Sequence, residues 1–172
     1  MLVFDIETNG LLHDVSEIHC IATFDTETGE ESVFNNQRDQ SGSIEDGINK
    51  IMESPSIAGH NIVGYDLPVI RKLTNRGAYS GRIYDTLILS RLFHPNLMEI
   101  DKRRNLDNMP LQLYGRHSLE AYGYRLGEYK GDFGKTSDWQ QWSQEMQDYM
   151  VQDVKVTTKL CDHFHPYLTG SR

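Results

Sequence analysis

The sequence predicts an α/β domain built on a mixed sheet. Two observations carry this: three strand-like runs come before the first helix, and after it helices alternate with short strands. A third observation places the centre of the sheet. The opening run Met1–Phe4, continued by Ile6, is the most apolar of the strand candidates, so the first strand is expected to be central.

Taken in order, residues 1–7 read as that strand. Residues 17–24 ("EIHCIATF") read as a second and 30–35 as a third, with a turn at Thr28-Gly29 between them. "SGSIEDGINKIMES" predicts a helix: Ser43 suits the N-cap, acids fill the first turn, and Ile44, Ile48, Ile51 and Met52 share one face. "SIAGHN" is a short strand, and Pro68 suits the first turn of a helix running to about Asn75. "RIYD" predicts another short strand, with a helix over "TLILSRLF" after it. Residues 94–116 are polar and without a clear period. "HSLEAYGYRLG" predicts a helix ended by Gly127. Residues 128–142 form a Gly- and Asp-rich connection, and a long last helix is expected from about Ser143 towards Phe164, stopped by Pro166.

Length and composition bound the class. A chain of 172 residues, 38% hydrophobic and 24% charged, suits one soluble domain over residues 1–172. No run approaches the roughly 18 apolar residues of a membrane span, so no membrane partner is expected. No basic-then-apolar leader opens the chain, and Cys20 and Cys161 lie far apart. A reduced, intracellular protein is therefore expected. A net charge of −8 argues against broad, non-specific polyanion binding, although a carboxylate site compensated by cations stays compatible with nucleic acid. Arg71, Lys72, Arg76, Arg82 and Arg91 cluster in one stretch, and Lys102–Arg104 form a run; a solvated surface explains either as well as a ligand does.

The chemistry starts at "VFDIETNG". In a strand, Asp5 and Glu7 share one face while Phe4 and Ile6 share the other. Two like charges side by side on a buried strand repel, so a cation is expected between them. Two further acids stand out. Asp66, in "HNIVGYDLPVI", precedes a helix and taken alone reads as an N-cap. Asp153 borders the apolar stripe Met146, Met150, Val154, Thr157, Leu160, Cys161 and Phe164 of the last helix, with Tyr149 one turn before it. Taken alone, that pair reads equally well as an exposed acid and a half-buried tyrosine.

Together, D-x-E on a first strand, N-x-x-x-Y-D before a helix and Y-x-x-x-D in a C-terminal helix resemble the three motifs of DEDD-superfamily exonucleases. They match the tyrosine-bearing subgroup, here as "DIET", "NIVGYD" and "YMVQD". A closer resemblance runs from Met1 to about Leu160. "DTLILSRLFHPNL", "GRHSLEAYGYRLGEYKGDF" and "EMQDYMVQDVKVTTKL" are similar to the proofreading domain of family-A DNA polymerases of T-seven-like bacteriophages, and no polymerase domain is expected in the chain.

The resemblance implies a ribonuclease H-like exonuclease fold, a mixed central sheet flanked by helices. It implies that Asp5, Glu7, Asp66 and Asp153 hold two divalent ions, magnesium or manganese, an oxygen-donor set that suits those metals. It implies that Tyr149 orients the attacking water, since a phenol with a pKa of about 10 is a poor base near neutral pH. Thr8, Leu11, Leu12 and Asn61 would contact the terminal nucleotide, although Leu11 and Leu12 also read as ordinary core and Asn61 as a brace of its strand end. His60 reads as a buried, hydrogen-bonded residue, His117 as capping or flanking the start of its helix, and Asp85 as a helix cap. Trp139 and Trp142 suit base stacking or core packing.

The implied activity is removal of nucleotides from single-stranded or frayed DNA 3′ ends, in proofreading for a DNA polymerase, a separate polypeptide or the parent of an excised domain. The implied location is the bacterial host cytoplasm. An exoribonuclease on the same fold, and a catalytically silent module that binds nucleic acid or a polymerase, are the alternatives.

Overall fold

The apolar opening segment becomes the middle of the molecule. Strand β1 (Leu2–Thr8) pairs antiparallel with β2 (Ile18–Asp25), which pairs antiparallel with β3 (Glu31–Asn35). On its other side β1 runs parallel to β4 (Ser56–Gly59), and β4 runs parallel to β5 (Arg82–Asp85). The sheet order is β3-β2-β1-β4-β5, mixed and centred on β1 as expected. The structure is a computed structural model that describes residues 1–38, 40–128 and 138–171.

Strand parity assigns the two faces. Leu2, Phe4 and Ile6 pack with Ile48 and Ile51 of α1 (Ile44–Glu53) and with Val69 and Ile70 of α2 (Asp66–Thr74). Val3 packs on the opposite face with Met146, Met150 and Val154 of the last helix, α6 (Gln144–Thr169). Asp5 and Glu7 have the parity of Val3, so they point towards α6. Behind α6, Leu97 of α4 (Leu97–Arg104) and Leu119 and Tyr122 of α5 (Leu119–Arg125) close a further core around Val156, Leu160 and Phe164. The remaining helix, α3 (Thr86–Phe93), follows β5 directly.

Local chemistry fixes the ends. Ser43 caps α1 in a reciprocal box with Asp46, each side chain accepting from the other's backbone N–H. Gly59 ends β4 where a side chain has no room: a Cβ there would stand 3.0 Å from the Phe4 carbonyl oxygen and closer still to Ile62.

Two expectations are corrected. Residues 94–116, without a clear period in the sequence, contain α4 and a single 3₁₀ turn at Leu111–Leu113. The inward residues of α4 are Leu97 and Asp101, and an acid at a core position hides the apolar repeat. Pro166 does not stop the last helix, which runs on to Thr169. Proline removes one backbone donor, and Phe164 and Tyr167 hold the surrounding turns against the third core. The stop is Gly170, in the left-handed conformation at φ 69°, with its N–H donating to the Pro166 carbonyl. Of the connection expected over 128–142, residues 129–137 lie outside those described. Among the described residues, no helix is long and apolar enough to cross a membrane.

Candidate active site

Three elements converge at the end of β1. The strand delivers Asp5 and Glu7, and α6, locked against β1 by Val154 on Val3, delivers Asp153. One oxygen from each of Asp5, Glu7 and Asp153 lies within 4.8 Å of the others, with Asp5 and Glu7 half-buried and Asp153 buried. Oxygens bound to one magnesium at 2.0–2.1 Å stand about 3–4 Å apart. The three carboxylates are therefore spaced for a small, hard cation and carry the charge to bind it. Tyr149 lies one helical turn before Asp153 on the same side of α6 and is half-buried.

Asp66 arrives separately. It is the first residue of α2, and Tyr65 occupies the cap position without a side-chain cap bond, so Asp66 is not the N-cap that the isolated sequence suggested. Its carboxylate is turned inward beside β1, where the backbone N–H groups of Ile6 and of Asp66 itself stabilise the anion. Asp66 falls outside the group of three that meets within 4.8 Å. It is 3% exposed, and its Oδ1 has no hydrogen-bond partner among the described residues. Burial, reinforced by the charge of Asp85, pushes its pKa up to about 8. A buried carboxyl with an unused oxygen is costly without a counter-charge, and a cation at the β1 end would supply one. The residues present thus fit a divalent-metal site.

The neighbouring groups set the shape. Pairing of β1 with β2 slips between Glu7 and Thr8, a bulge that re-aims the strand end. The Tyr65 hydroxyl donates to the Gly10 carbonyl at 2.5 Å and accepts from the buried Thr8 hydroxyl at 2.5 Å, and Thr8 Oγ1 itself lies 3.0 Å from the same carbonyl, so three oxygens share two protons. Lys72 reaches across from α2 to donate to the carbonyls of Leu12 and His13. The loop after β1 is thereby held with Leu11 66% and Leu12 36% exposed, so neither leucine is ordinary core. A cleft of about 420 Å³ opens here, bounded by Glu7, Thr8, Leu11, Tyr65, Trp139 and Gln140. The Trp139 carbonyl meets the His19 ring at 2.9 Å, and the Gln140 amide donates to the Asn9 carbonyl.

Asn61 is exposed at the start of the turn after β4, at φ 63°. Its N–H and that of Val63 donate to Asp85, whose carboxylate also caps α3. His60 pairs with the Thr86 hydroxyl at 2.8 Å, and His117 with Ser90 at 2.6 Å. Burial, then Arg125 and Arg91, hold the His117 ring below its ordinary pKa, hence neutral at pH 7. Cys20 shares a rung with Glu7. Burial, then Glu7 and Asp5, raise its thiol strongly, so it stays protonated and unreactive. Trp142 donates to Gln147 beside the sheet and is packed there rather than in the cleft.

Tyr65, Lys72 and Gln140 were not found by sequence reasoning. Tyr65 had one signal, its place beside Asp66 inside "NIVGYD"; the other two act across loops and leave no local pattern.

A mixed sheet with carboxylates at its central strand end and on the last helix defines an α/β domain of the metal-site type. A family model of the RNase H superfamily matches residues 2–165, and the chain belongs to that superfamily. It is 36% identical over 185 aligned residues to the DNA-directed DNA polymerases of Enterobacteria phage T3 and Escherichia phage T7. The match covers 94% of this chain and 26% of each polymerase, so the chain spans about a quarter of their length. Among solved structures, Brucella melitensis NrnC with bound Mg²⁺ aligns at TM-score 0.63 and 20% identity, over 99% of this chain and 74% of that one. E. coli Exonuclease I in complex with a dT13 oligonucleotide aligns at TM-score 0.57 and 17% identity, over 99% of this chain and 42% of that one. The likeness to these two is one of fold.

Proposed function

We propose that the chain is a metal-dependent 3′–5′ exonuclease that removes nucleotides from single-stranded or frayed DNA ends and proofreads for a DNA polymerase. One observation carries this. Asp5, Glu7 and Asp153 converge, with Tyr149 one turn from Asp153, in a chain 36% identical to two phage DNA polymerases over 94% of its length. Asp5, Glu7, Asp66 and Asp153 would hold two divalent cations, magnesium or manganese; when bound, these supply Lewis-acid activation of water and of the phosphoryl group. Tyr149, whose hydroxyl can both donate and accept, orients the attacking water towards the phosphorus. Leu11 and Trp139 line the cleft for the terminal base, and the Thr8–Tyr65–Gly10 bonds hold its floor rigid. Thr8 and Asn61 border the position of the terminal nucleotide. The partners are a single-stranded DNA 3′ end and a polymerase, in the same or a separate polypeptide, and the setting is the bacterial host cytoplasm.

The test is incubation with 3′- and 5′-labelled oligonucleotides of DNA and of RNA, with magnesium and then with chelator. The expected result is immediate loss of the 3′ label from DNA, a shortening ladder from the 5′-labelled strand, and no cleavage with chelator. Degradation of RNA alone would replace the substrate with RNA. No cleavage of any strand would leave a silent binding module.

A further inference from the structure

A second grouping of ligand atoms lies ten residues along α6 from Asp153, about 15 Å at 1.5 Å per residue. His94, at the C-cap of α3, and His163, on α6, face each other through their Nε2 atoms at 2.7 Å. The ring centres stand 5.0 Å apart, the nitrogen separation plus one ring radius on each side, so both nitrogens lie on the line between the rings. The rings are braced. His94 stands 5.5 Å from Phe164 and edge-on to Tyr167 at 5.3 Å, and His163 stands edge-on to Phe164 at 5.1 Å. The His94 N–H is fixed on the Ser90 carbonyl. Both side chains are half-buried.

We propose that His94 and His163 form a second metal site, selective for a late first-row divalent cation such as zinc and separate from the carboxylate cluster. Two neutral imidazoles in this arrangement share one N–H···N hydrogen bond. For both Nε2 atoms to bind a metal, the donor ring moves its proton from Nε2 to Nδ1. That is a change of tautomer with no proton lost from the pair. Zinc–nitrogen bonds of 2.0–2.1 Å at a tetrahedral angle set the nitrogens about 3.3 Å apart. The nitrogens must therefore separate by about 0.6 Å, and each ring must turn by about 35° so that its lone pair, now aimed along the line to the other nitrogen, meets the metal off that line. Water completes the coordination. Imidazole nitrogen favours zinc, nickel and copper, whereas carboxylate oxygen favours magnesium and manganese, so the two sites sort metals by donor chemistry. Bound metal would join the end of α3 to the last turns of α6, and ligand that binds only the folded chain stabilises it.

The experiment is calorimetric titration of zinc into the metal-stripped chain held in excess magnesium, with His94→Gln, His163→Gln and Asp153→Asn beside it. Wild type and Asp153→Asn should each bind one equivalent, and both glutamine variants should bind at least tenfold more weakly. Zinc should also raise the melting temperature of wild type but not of the glutamine variants. Unchanged zinc binding in the glutamine variants, or its loss only in Asp153→Asn, would overturn the proposal. If a glutamine variant fails to fold, the histidine ¹⁵N spectrum of wild type decides. Zinc should move both Nε2 resonances and magnesium neither; resonances unmoved by zinc end the proposal. None of these outcomes depends on the exonuclease reading.

Discussion

Tyr149 differs from phenylalanine by one oxygen, and the residue stands one helical turn before Asp153. If it orients water, Tyr149→Phe slows cleavage by roughly tenfold to a thousandfold, from below to the middle of the range for a positioned proton-handling group, and leaves substrate affinity unchanged. Single-turnover rates against substrate concentration measure both, and full activity would reduce Tyr149 to packing. The carboxylates make a different prediction, because they repel one another until a cation arrives. Asp5→Ala and Asp153→Ala should abolish cleavage. In chelator, each should melt no lower than wild type, and magnesium should raise only the wild-type melting temperature. A large drop in the chelated variants would mean that these acids serve the fold itself. In the sequence, Asp5, Glu7, Asp66, Tyr149 and Asp153 stand out together through the resemblance of three short motifs; the structure brings the carboxylates of Asp5, Glu7 and Asp153 within 4.8 Å of one another, with Asp66 outside that group. The cleft wall was less legible. Lys72 holds carbonyls 59 and 60 residues away, and Tyr65 one 55 residues away, so only the folded chain reveals them.

At the scale of elements, α4 and α5 are joined by one buried ion pair rather than by apolar packing alone. Arg125 donates to both oxygens of Asp101 at 2.9 and 2.8 Å, and the Gly115 N–H donates to the same carboxylate. Burial pushes the Asp101 carboxyl up, but these hydrogen bonds and the charges of Arg125 and Arg104 together hold it below the usual carboxylate range. A carboxylate with a lowered folded pKa contributes stability that is present above its unfolded pKa and lost as pH falls through the folded one. Removing one partner of a buried pair strands the other charge and costs about 3–5 kcal/mol. Asp101→Asn should therefore lower unfolding stability by about that much at pH 7, with the gap closing below about pH 4. Denaturant unfolding at pH 7 and pH 3 checks this, and an equal gap at both values would contradict the charge argument. The same pair explains why α4 was illegible: period-based reading looks for apolar residues, and Asp101 occupies a core position by virtue of a partner 24 residues on. The strands, α1, α2 and α3 were legible because their buried faces are apolar or their caps are conventional. The true end of α6 was missed because Gly170 outranks Pro166 as a terminator once the neighbouring turns are packed.

For the whole molecule, shape decides what form of substrate can react. The cleft of about 420 Å³ is bounded by the loop after β1, by Tyr65 and by Trp139, with Leu11 standing 66% exposed at its edge. On the proposed exonuclease reading this cleft receives the terminal base, with Leu11 and Trp139 as its walls. The net charge of −8 favours a single strand, since a duplex brings phosphates of both strands against an acidic surface, while a single strand brings only its own. On that reading, a terminal pair opens before its 3′ nucleotide reaches Asp5, Glu7 and Asp153. Unpairing and unstacking cost a few kcal/mol, and less at a mismatch, so mispaired ends should be removed preferentially without any contact that recognises the wrong base. The measurement is single-turnover cleavage of one labelled DNA strand in three forms: free, annealed with a matched 3′ end, and annealed with several terminal mismatches. The free strand should be cut fastest, the mismatched end next and the matched end slowest. Equal rates on the two annealed forms would show that the cleft admits paired ends, and discrimination would then have to come from a polymerase partner rather than from this domain.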